Sequence, residues 1–164
     1  MLRQFGADLE AFFTEDVEQR ATEVFREAAE LAAEGLIVGN QYGPGAPVDT
    51  GFLRASFRVG LDAPAPGPST PPSTAGREPG SAPLFSAPVL GPELATVALG
   101  QVVFVTTNVE YAAYLEYLDR QRRYGKFAGQ STVFIAPIEL RWPRIVEDAL
   151  RRNVQGNPRG VRFP

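Results

Sequence analysis

The side chains of this chain that could carry acid–base or nucleophilic chemistry are its carboxylates, hydroxyls, phenols and Lys126. The sequence has no histidine and no cysteine, which excludes thiol nucleophiles, disulfides, a histidine general base and the usual Cys/His zinc sites. Glu110 and Glu116 share one predicted helix, but their spacing puts them on different faces, where they cannot act as a pair. The sequence has no phosphate-binding glycine loop and no metal-binding carboxylate cluster. We therefore predict no catalytic residue, no cofactor and no metal.

The strongest argument for catalysis is the tripeptide Asp49-Thr50-Gly51, which is the signature of aspartic proteases. The viral enzymes of that kind are homodimers in which two such aspartates share a proton. Val97-Ala98-Leu99-Gly100 matches their second element. However, Phe52-Leu53-Arg54 stands where Gly-Ala and a further strand are required, and prolines fill the interval of the glycine-rich flap. A dimeric protease that uses Asp49 is therefore the remote alternative.

The favoured interpretation of the same motif is a turn between two secondary-structure elements. We expect Asp49 to bond backbone groups further along the chain and Gly51 to adopt a conformation that other residues avoid. Arg54 is placed to pair with an acid. Glu116, near the end of a later helix, is the candidate partner.

The first half of the chain predicts a helix, a strand and an arm. Apolar spacings of three and four predict a helix over residues 7–36. Partial alternation predicts a strand from Leu53 to Leu61. Residues 62–92 hold nine prolines, and because proline removes a backbone donor and fixes φ, they are predicted to form an extended arm. A disordered linker is the alternative, but Leu84 and Phe85 are apolar enough to indicate docking.

The second half predicts a further strand and three helices. The β-branched run Gln101–Thr106 is the clearest strand of the chain. The helices are predicted over Glu93–Leu99, over Val109–Arg120 with Asn108 or Thr107 as its cap, and from about Pro137 to Asn153, where Pro143 either kinks the helix or marks its start. In the middle helix, Tyr111, Tyr114, Leu115 and Leu118 form a stripe for core or interface packing.

This order predicts an α+β fold: a small antiparallel sheet, a long N-terminal helix, a middle helix and a C-terminal helix, plus the proline-rich extended arm. Residues 1–61 and 93–155 are predicted to form a single domain, with 62–92 as the arm and 156–164 as a C-terminal tail. No apolar run approaches the ~18 residues of a membrane span and no signal-peptide pattern is present, which predicts a soluble product with no membrane partner.

Charge is distributed unevenly along the chain. Residues 1–40 carry nine acids and three bases, whereas residues 120–164 carry ten bases and three acids. Such polarity can make copies of one chain attract each other head to tail, although two ordinary solvated faces are also compatible with it. The basic run Arg120–Lys126 could contact a neighbour's acidic helix, DNA or only solvent.

Taken in order, these features resemble the neck type-1 proteins of tailed phages, a family of head–tail joining and minor tail components that is similar to the lambda tail-completion protein Z group. The residues that carry the likeness are Pro47-Val48-Asp49-Thr50-Gly51 with Leu53 and Arg54, then Asn108, Tyr111-Ala112 and Leu115-Glu116-Tyr117, and finally Phe134 and Pro137. The likeness spans residues 7–152. One departure is Leu118-Asp119, where the family has a glycine, and it implies a helix that is one turn longer.

The resemblance implies a non-enzymatic homo-oligomeric ring, most simply a hexamer, at the head–tail junction of the virion, assembled in the host cytoplasm. Its partners would be head connector or adaptor proteins and tail terminator or tube proteins, and genomic DNA would pass through the lumen without sequence-specific binding. A tail terminator or minor tail subunit is the alternative. The residues expected to matter structurally or at interfaces are Asp49, Thr50, Gly51, Arg54, Asn108, Tyr111, Glu116, Leu84 and Phe85.

Ordering an arm of about thirty residues costs on the order of 1–2 kcal/mol per residue in backbone entropy. Only a large wrapped interface offsets such a cost. We therefore expect residues 79–92 to be ordered mainly in the assembled particle, where a neighbouring copy supplies that interface.

Overall fold

The computed structural model describes residues 17–48, 50–68, 83–88, 90–117 and 133–156. Its elements, in chain order, are α1 (Glu18–Ile37), α2 (Phe52–Ser56), β1 (Arg58–Leu61), α3 (Gly91–Leu94), β2 (Val103–Thr106), α4 (Tyr111–Tyr117) and α5 (Ala136–Gly156). β1 and β2 pair antiparallel. The prediction of an α+β fold with a small antiparallel sheet and three principal helices is confirmed.

Helix α1 lies in the middle of the domain, between α5 and the sheet. Toward α5 it places Ala28 and Leu31 against Ile145 and other apolar side chains. Toward the sheet it places Ala29 and Ala33 against strand residues that include Val59 and Val103. The face of α1 that meets the sheet is thus lined by alanines.

The two faces of the sheet are covered by different parts of the chain. Val59 pairs with Val105 and Leu61 with Val103, and these four side chains face α1. On the other face the chain folds back after β1, since a side chain at Gly60 would come 2.1 Å from the Ala63 carbonyl oxygen. The Thr106 hydroxyl donates to the Ala65 carbonyl at 3.0 Å. The beginning of the proline-rich segment therefore packs on the sheet.

Asp62 joins the two ends of the long connection between the strands. It has φ 60°, a left-handed conformation that aspartate tolerates better than most residues. Its backbone N–H donates to the Val102 carbonyl at 2.8 Å, and its carboxylate accepts from the Val102 N–H at 2.9 Å. Asp62 and Val102 are thus bonded to each other at the two ends of the connection between β1 and β2.

Two predicted elements have other bounds in the structure, and one alternative that the sequence left open is decided. The helix predicted over Glu93–Leu99 is Gly91–Leu94. The predicted strand from Leu53 to Leu61 is helical over Phe52–Ser56 and extended only over Arg58–Leu61. The helix forms because Gly51 reverses the chain and sends Phe52, Leu53 and Phe57 into one core cluster. Helix α5 begins at Ala136, so Pro143 lies inside it and does not mark its start.

Helix α5 is also tied to the turn that follows α1. The buried Tyr42 hydroxyl donates to Asp148 at 2.7 Å, and Arg141 donates to the Tyr42 carbonyl at 2.7 Å. Among the described residues, no helix is both long and apolar enough to cross a membrane.

Candidate functional site: the Gly51 turn and the Glu116 junction

The first predicted motif forms a tight turn at Gly51. Gly51 has φ 84°, which confirms the predicted conformation, and the Phe52 N–H donates to the Thr50 hydroxyl at 3.2 Å. Asp49 itself lies outside the described residues. Two residues of the turn thus have defined structural roles: the Thr50 hydroxyl receives the first N–H of α2, and Gly51 supplies the left-handed backbone.

Part of the arm docks on this turn. The backbone N–H groups of Leu84 and Phe85 both donate to the Thr50 carbonyl oxygen, at 2.7 and 3.1 Å. The Phe85 ring packs edge-to-face on Phe52 with the ring centroids 5.5 Å apart. A Cβ at Gly51 would come 2.2 Å from the Phe85 carbonyl oxygen, so the docked arm needs a glycine there. We call the Thr50 carbonyl, Gly51 and the Phe52 ring the arm slot.

The arm segment is only partly covered in the slot. Phe85 is half-buried against the core cluster, whereas Leu84 beside it is 62% exposed. Phe85 therefore packs on the core of its own chain, whereas the side chain of Leu84 is exposed on the surface.

Arg54 does not pair with Glu116. Its Nε donates to the Ala46 carbonyl oxygen at 2.7 Å, and burial lowers the pKa of the guanidinium from its ordinary value. Arg54 therefore fastens α2 to the residues that precede the turn. The predicted partnership failed because Glu116 has a different set of donors.

The Glu116 carboxylate holds the start of α5. It accepts the backbone N–H groups of Phe134 at 2.8 Å, Ile135 at 3.0 Å and Ala136 at 3.0 Å. The first N–H groups of a helix have no partner within the helix, and the positive end of its dipole favours a negative charge. Glu116, only 7% exposed, is therefore an N-terminal cap for α5 that is supplied by α4.

This junction fixes Phe134 in the core. Phe134 is fully buried and packs edge-to-face on Phe57, with ring centroids 6.3 Å apart. The sequence did indicate that Glu116 is buried and needs hydrogen-bond donors. Glu116 falls on the same helical stripe as Ala112 and Leu115, which are also buried, and a buried carboxylate requires several donors.

Asn108 and Tyr111 contact different parts of the chain. The hydroxyl that accepts an N–H ahead of α4 belongs to Thr107, which bonds Val109 at 3.3 Å. Asn108 instead donates to the Gly67 carbonyl in the arm at 3.3 Å. Tyr111 is partly buried and, like Phe85, packs against the core cluster that contains Phe52. In the predicted stripe, Leu115 is buried but Tyr114 faces outward, and Leu118 lies outside the described residues.

The contacts that the structure shows at the turn and at the junction are packing contacts and hydrogen bonds to backbone atoms. Within them, no group of three or more acids is arranged to hold a metal ion. Gly51 is followed by a helix, whereas the protease interpretation of Asp49-Thr50-Gly51 needs a strand. The basic run Arg120–Lys126 lies outside the described part of the chain.

No family model, curated protein or solved structure matches this chain. The resemblance to the phage neck proteins therefore stays a prediction that rests on the two motifs.

Proposed function

We propose that this chain is a structural, non-enzymatic subunit that assembles with further copies into a ring at the head–tail junction of a tailed-phage particle, with DNA passing through the lumen. The observation that carries the proposal is the arm slot. The Thr50 carbonyl accepts two consecutive backbone N–H groups of a proline-rich segment, and main-chain hydrogen bonds to an extended segment are also a common means of recognition between chains.

The chemistry of the slot does not depend on which copy supplies the arm. Its two hydrogen bonds join backbone atoms, and its aromatic contact joins the Phe52 ring to the Phe85 ring of the arm. An arm of the same sequence from another copy can make the same contacts. Residues 69–82, which separate the two described ends of the arm, could span about 46 Å when extended, at ~3.3 Å per residue. A segment of that length is long enough to extend to a neighbouring copy in an assembly, and exchange of identical elements is a low-cost route to oligomers.

Exposed apolar side chains support an interface. Tyr114 and Tyr117 occupy one face of α4 and are 63% and 78% exposed, and Leu84 is exposed beside the slot. Exposed tyrosines of this kind are enriched at protein–protein contacts. The three side chains are therefore our candidates for contacts between subunits.

Part of the charge complementarity is satisfied inside the chain. Arg152 of α5 donates to Glu27 of α1 at 2.8 Å. The remaining excess of acids in the N-terminal region and of bases in the C-terminal region supports head-to-tail contact between copies. The place in the particle comes from the resemblance of the two motifs to the neck family.

The experiment is negative-stain microscopy of the purified chain together with its mass in solution. The proposal expects annuli of uniform diameter, and it expects Gly51→Ala to reduce their number because the substitution blocks the slot. Gly100→Ala is the matched control, since Gly100 also has positive φ but has nothing within 4 Å of an added Cβ. A chain that stays monomeric at high concentration and never enters particles would contradict the proposal.

Two further readouts separate the alternatives. Particles assembled without this chain should show unjoined heads and finished tails for a neck protein, and overlong tails for a tail terminator. Asp49→Asn should leave ring formation nearly intact. Peptide cleavage that is abolished by this substitution would instead establish the dimeric protease.

A further inference from the structure

A groove with an apolar lining and an acidic rim runs along α1. It lies between α1 and the segment that leads into α3, and its volume is about 460 Å³. Its apolar lining includes Leu31, Ile37, Leu90 and Leu94. A second cavity of about 340 Å³ shares Leu94 with the groove and extends it toward the N-terminal end of α1.

The acidic rim is a regular stripe. Glu23, Glu27, Glu30 and Glu34 recur at spacings of four, three and four residues, so they occupy one face of α1, and all four line the two cavities. Like charges at such spacings repel each other and destabilise the helix. A cationic segment lying in the groove would remove that repulsion.

Two cations near the rim are already engaged. The Arg26 Nε donates to the Val97 carbonyl at 2.6 Å, and Arg152 pairs with Glu27. Glu34 accepts from the Asn40 amide at 3.1 Å. Within the described part of the chain, Glu30 has no ion pair, and it lies at the centre of the stripe.

The C-terminal end of α5 lies at the mouth of this groove. Arg152 lines the first cavity and Asn153 lines the second, three residues before the helix ends at Gly156. The chain continues for eight residues, 157–164, which at ~3.3 Å each reach about 26 Å. From Glu23 to Glu34 the helix rises only about 16 Å, at ~1.5 Å per residue. The tail is long enough to cover the whole stripe.

The composition of the tail fits the groove. Residues 157–164 contain Arg159 and Arg162 and no acid, and Val161 and Phe163 alternate with these arginines. Helix α5 ends at Gly156, and Pro158 follows two residues later, where a proline cannot continue the helix. The arginines match the glutamate rim, and the apolar side chains match the lining of leucine and isoleucine.

We propose that residues 157–164 fold back along α1 and occupy this groove in the same chain. The same chain is favoured over a neighbour because the tail is tethered at the mouth of the groove. A short tether gives an effective concentration of about a millimolar or more, which exceeds ordinary protein concentrations. The proposal concerns contacts inside one subunit and does not depend on ring formation.

Disulfide trapping tests this directly, because the sequence has no cysteine of its own. The test variant combines Val161→Cys with Ala95→Cys, since Ala95 is exposed and lines the second cavity. The matched control combines Val161→Cys with Ala113→Cys on α4. Ala113 is also exposed. It lies on α4, which contacts Ala136 at the start of α5. The tail leaves the other end of α5, about 30 Å away along the helix at ~1.5 Å per residue.

Under mild oxidation, the Ala95 pair should form an intramolecular disulfide at least roughly tenfold faster than the Ala113 pair. Adding Arg159→Glu and Arg162→Glu should bring the Ala95 pair down to the control rate. Mass spectrometry of a mixture of isotope-labelled and unlabelled chains then identifies the source of the tail. Equal rates for the two pairs, no effect of the charge reversal, or a disulfide that joins two chains would each overturn the proposal.

Discussion

The Glu116 junction and the arm slot both join segments that are distant in sequence, but the acceptor is a side-chain carboxylate in the first and a backbone carbonyl in the second. At the junction, one buried carboxylate accepts three backbone N–H groups beside a fully buried Phe134. At the slot, one backbone carbonyl accepts two N–H groups beside a half-buried Phe85. Charge-assisted bonds in a desolvated site are about twice as strong as neutral ones. We therefore expect the start of α5 to stay bound to Glu116, whereas the arm can leave the slot and be exchanged between copies.

The largest effect should come from removing the carboxylate at the junction. Glu116→Ala leaves three N–H groups at the start of α5 without an acceptor, and we expect it to lower the free energy of unfolding by roughly 3–4 kcal/mol. Glu116→Gln keeps one acceptor oxygen and should lose about half as much. Urea denaturation followed by tryptophan fluorescence measures both. The control is Glu110→Ala. Glu110 is an exposed acid just before α4, the helix that carries Glu116, and its substitution should change the free energy of unfolding by less than about 0.5 kcal/mol.

The slot can be broken through its glycine. Gly51→Ala forces a side chain into φ 84° and into the Phe85 carbonyl, so it should cost about 2 kcal/mol and expel the arm. Gly100→Ala, at φ 90° in open space, should cost only about 1 kcal/mol. Thermal unfolding gives the difference between the two variants, and limited proteolysis between residues 83 and 92 reports release of the arm. Equal losses and equal cleavage would mean that the arm does not use the slot.

A smaller effect separates anchoring of the arm from presentation of its apolar neighbour. Phe85→Ala removes the edge-to-face contact with Phe52 and should destabilise the monomer by about 1 kcal/mol. Leu84→Ala changes a side chain that is 62% exposed and should cost the monomer less than about 0.5 kcal/mol. If Leu84 contacts a neighbouring copy, its substitution will reduce assembly more than monomer stability. An unchanged sedimentation profile for Leu84→Ala would contradict a role for Leu84 in assembly.

The sequence predicted the fold class and several positions well because those depend on local rules. Residues 103–106 are all β-branched or aromatic, and they form most of the strand predicted over Gln101–Thr106. The positive φ of Gly51 followed from the composition of its turn. The helical pattern around Pro137 indicated α5, which begins one residue earlier.

What the sequence did not predict depends on contacts across the chain. The helix over Phe52–Ser56 is too short to have a recognisable period, and the core that surrounds Phe52, Leu53 and Phe57 decides it. The assignment of Glu116 to Arg54 used charge alone. The backbone N–H groups at the start of α5 were stronger candidates, and only the three-dimensional arrangement brings them beside the carboxylate.

The central claim is that the arm leaves its slot easily while the Glu116 junction stays closed, and amide hydrogen exchange at single residues tests it most directly. In the isolated chain, the account predicts that the Leu84 and Phe85 amides exchange at least about a hundredfold faster than those of Phe134, Ile135 and Ala136, because local opening suffices for the first pair. In assembled rings the two sets should become equally protected. Equal protection of both sets in the isolated chain would contradict the account.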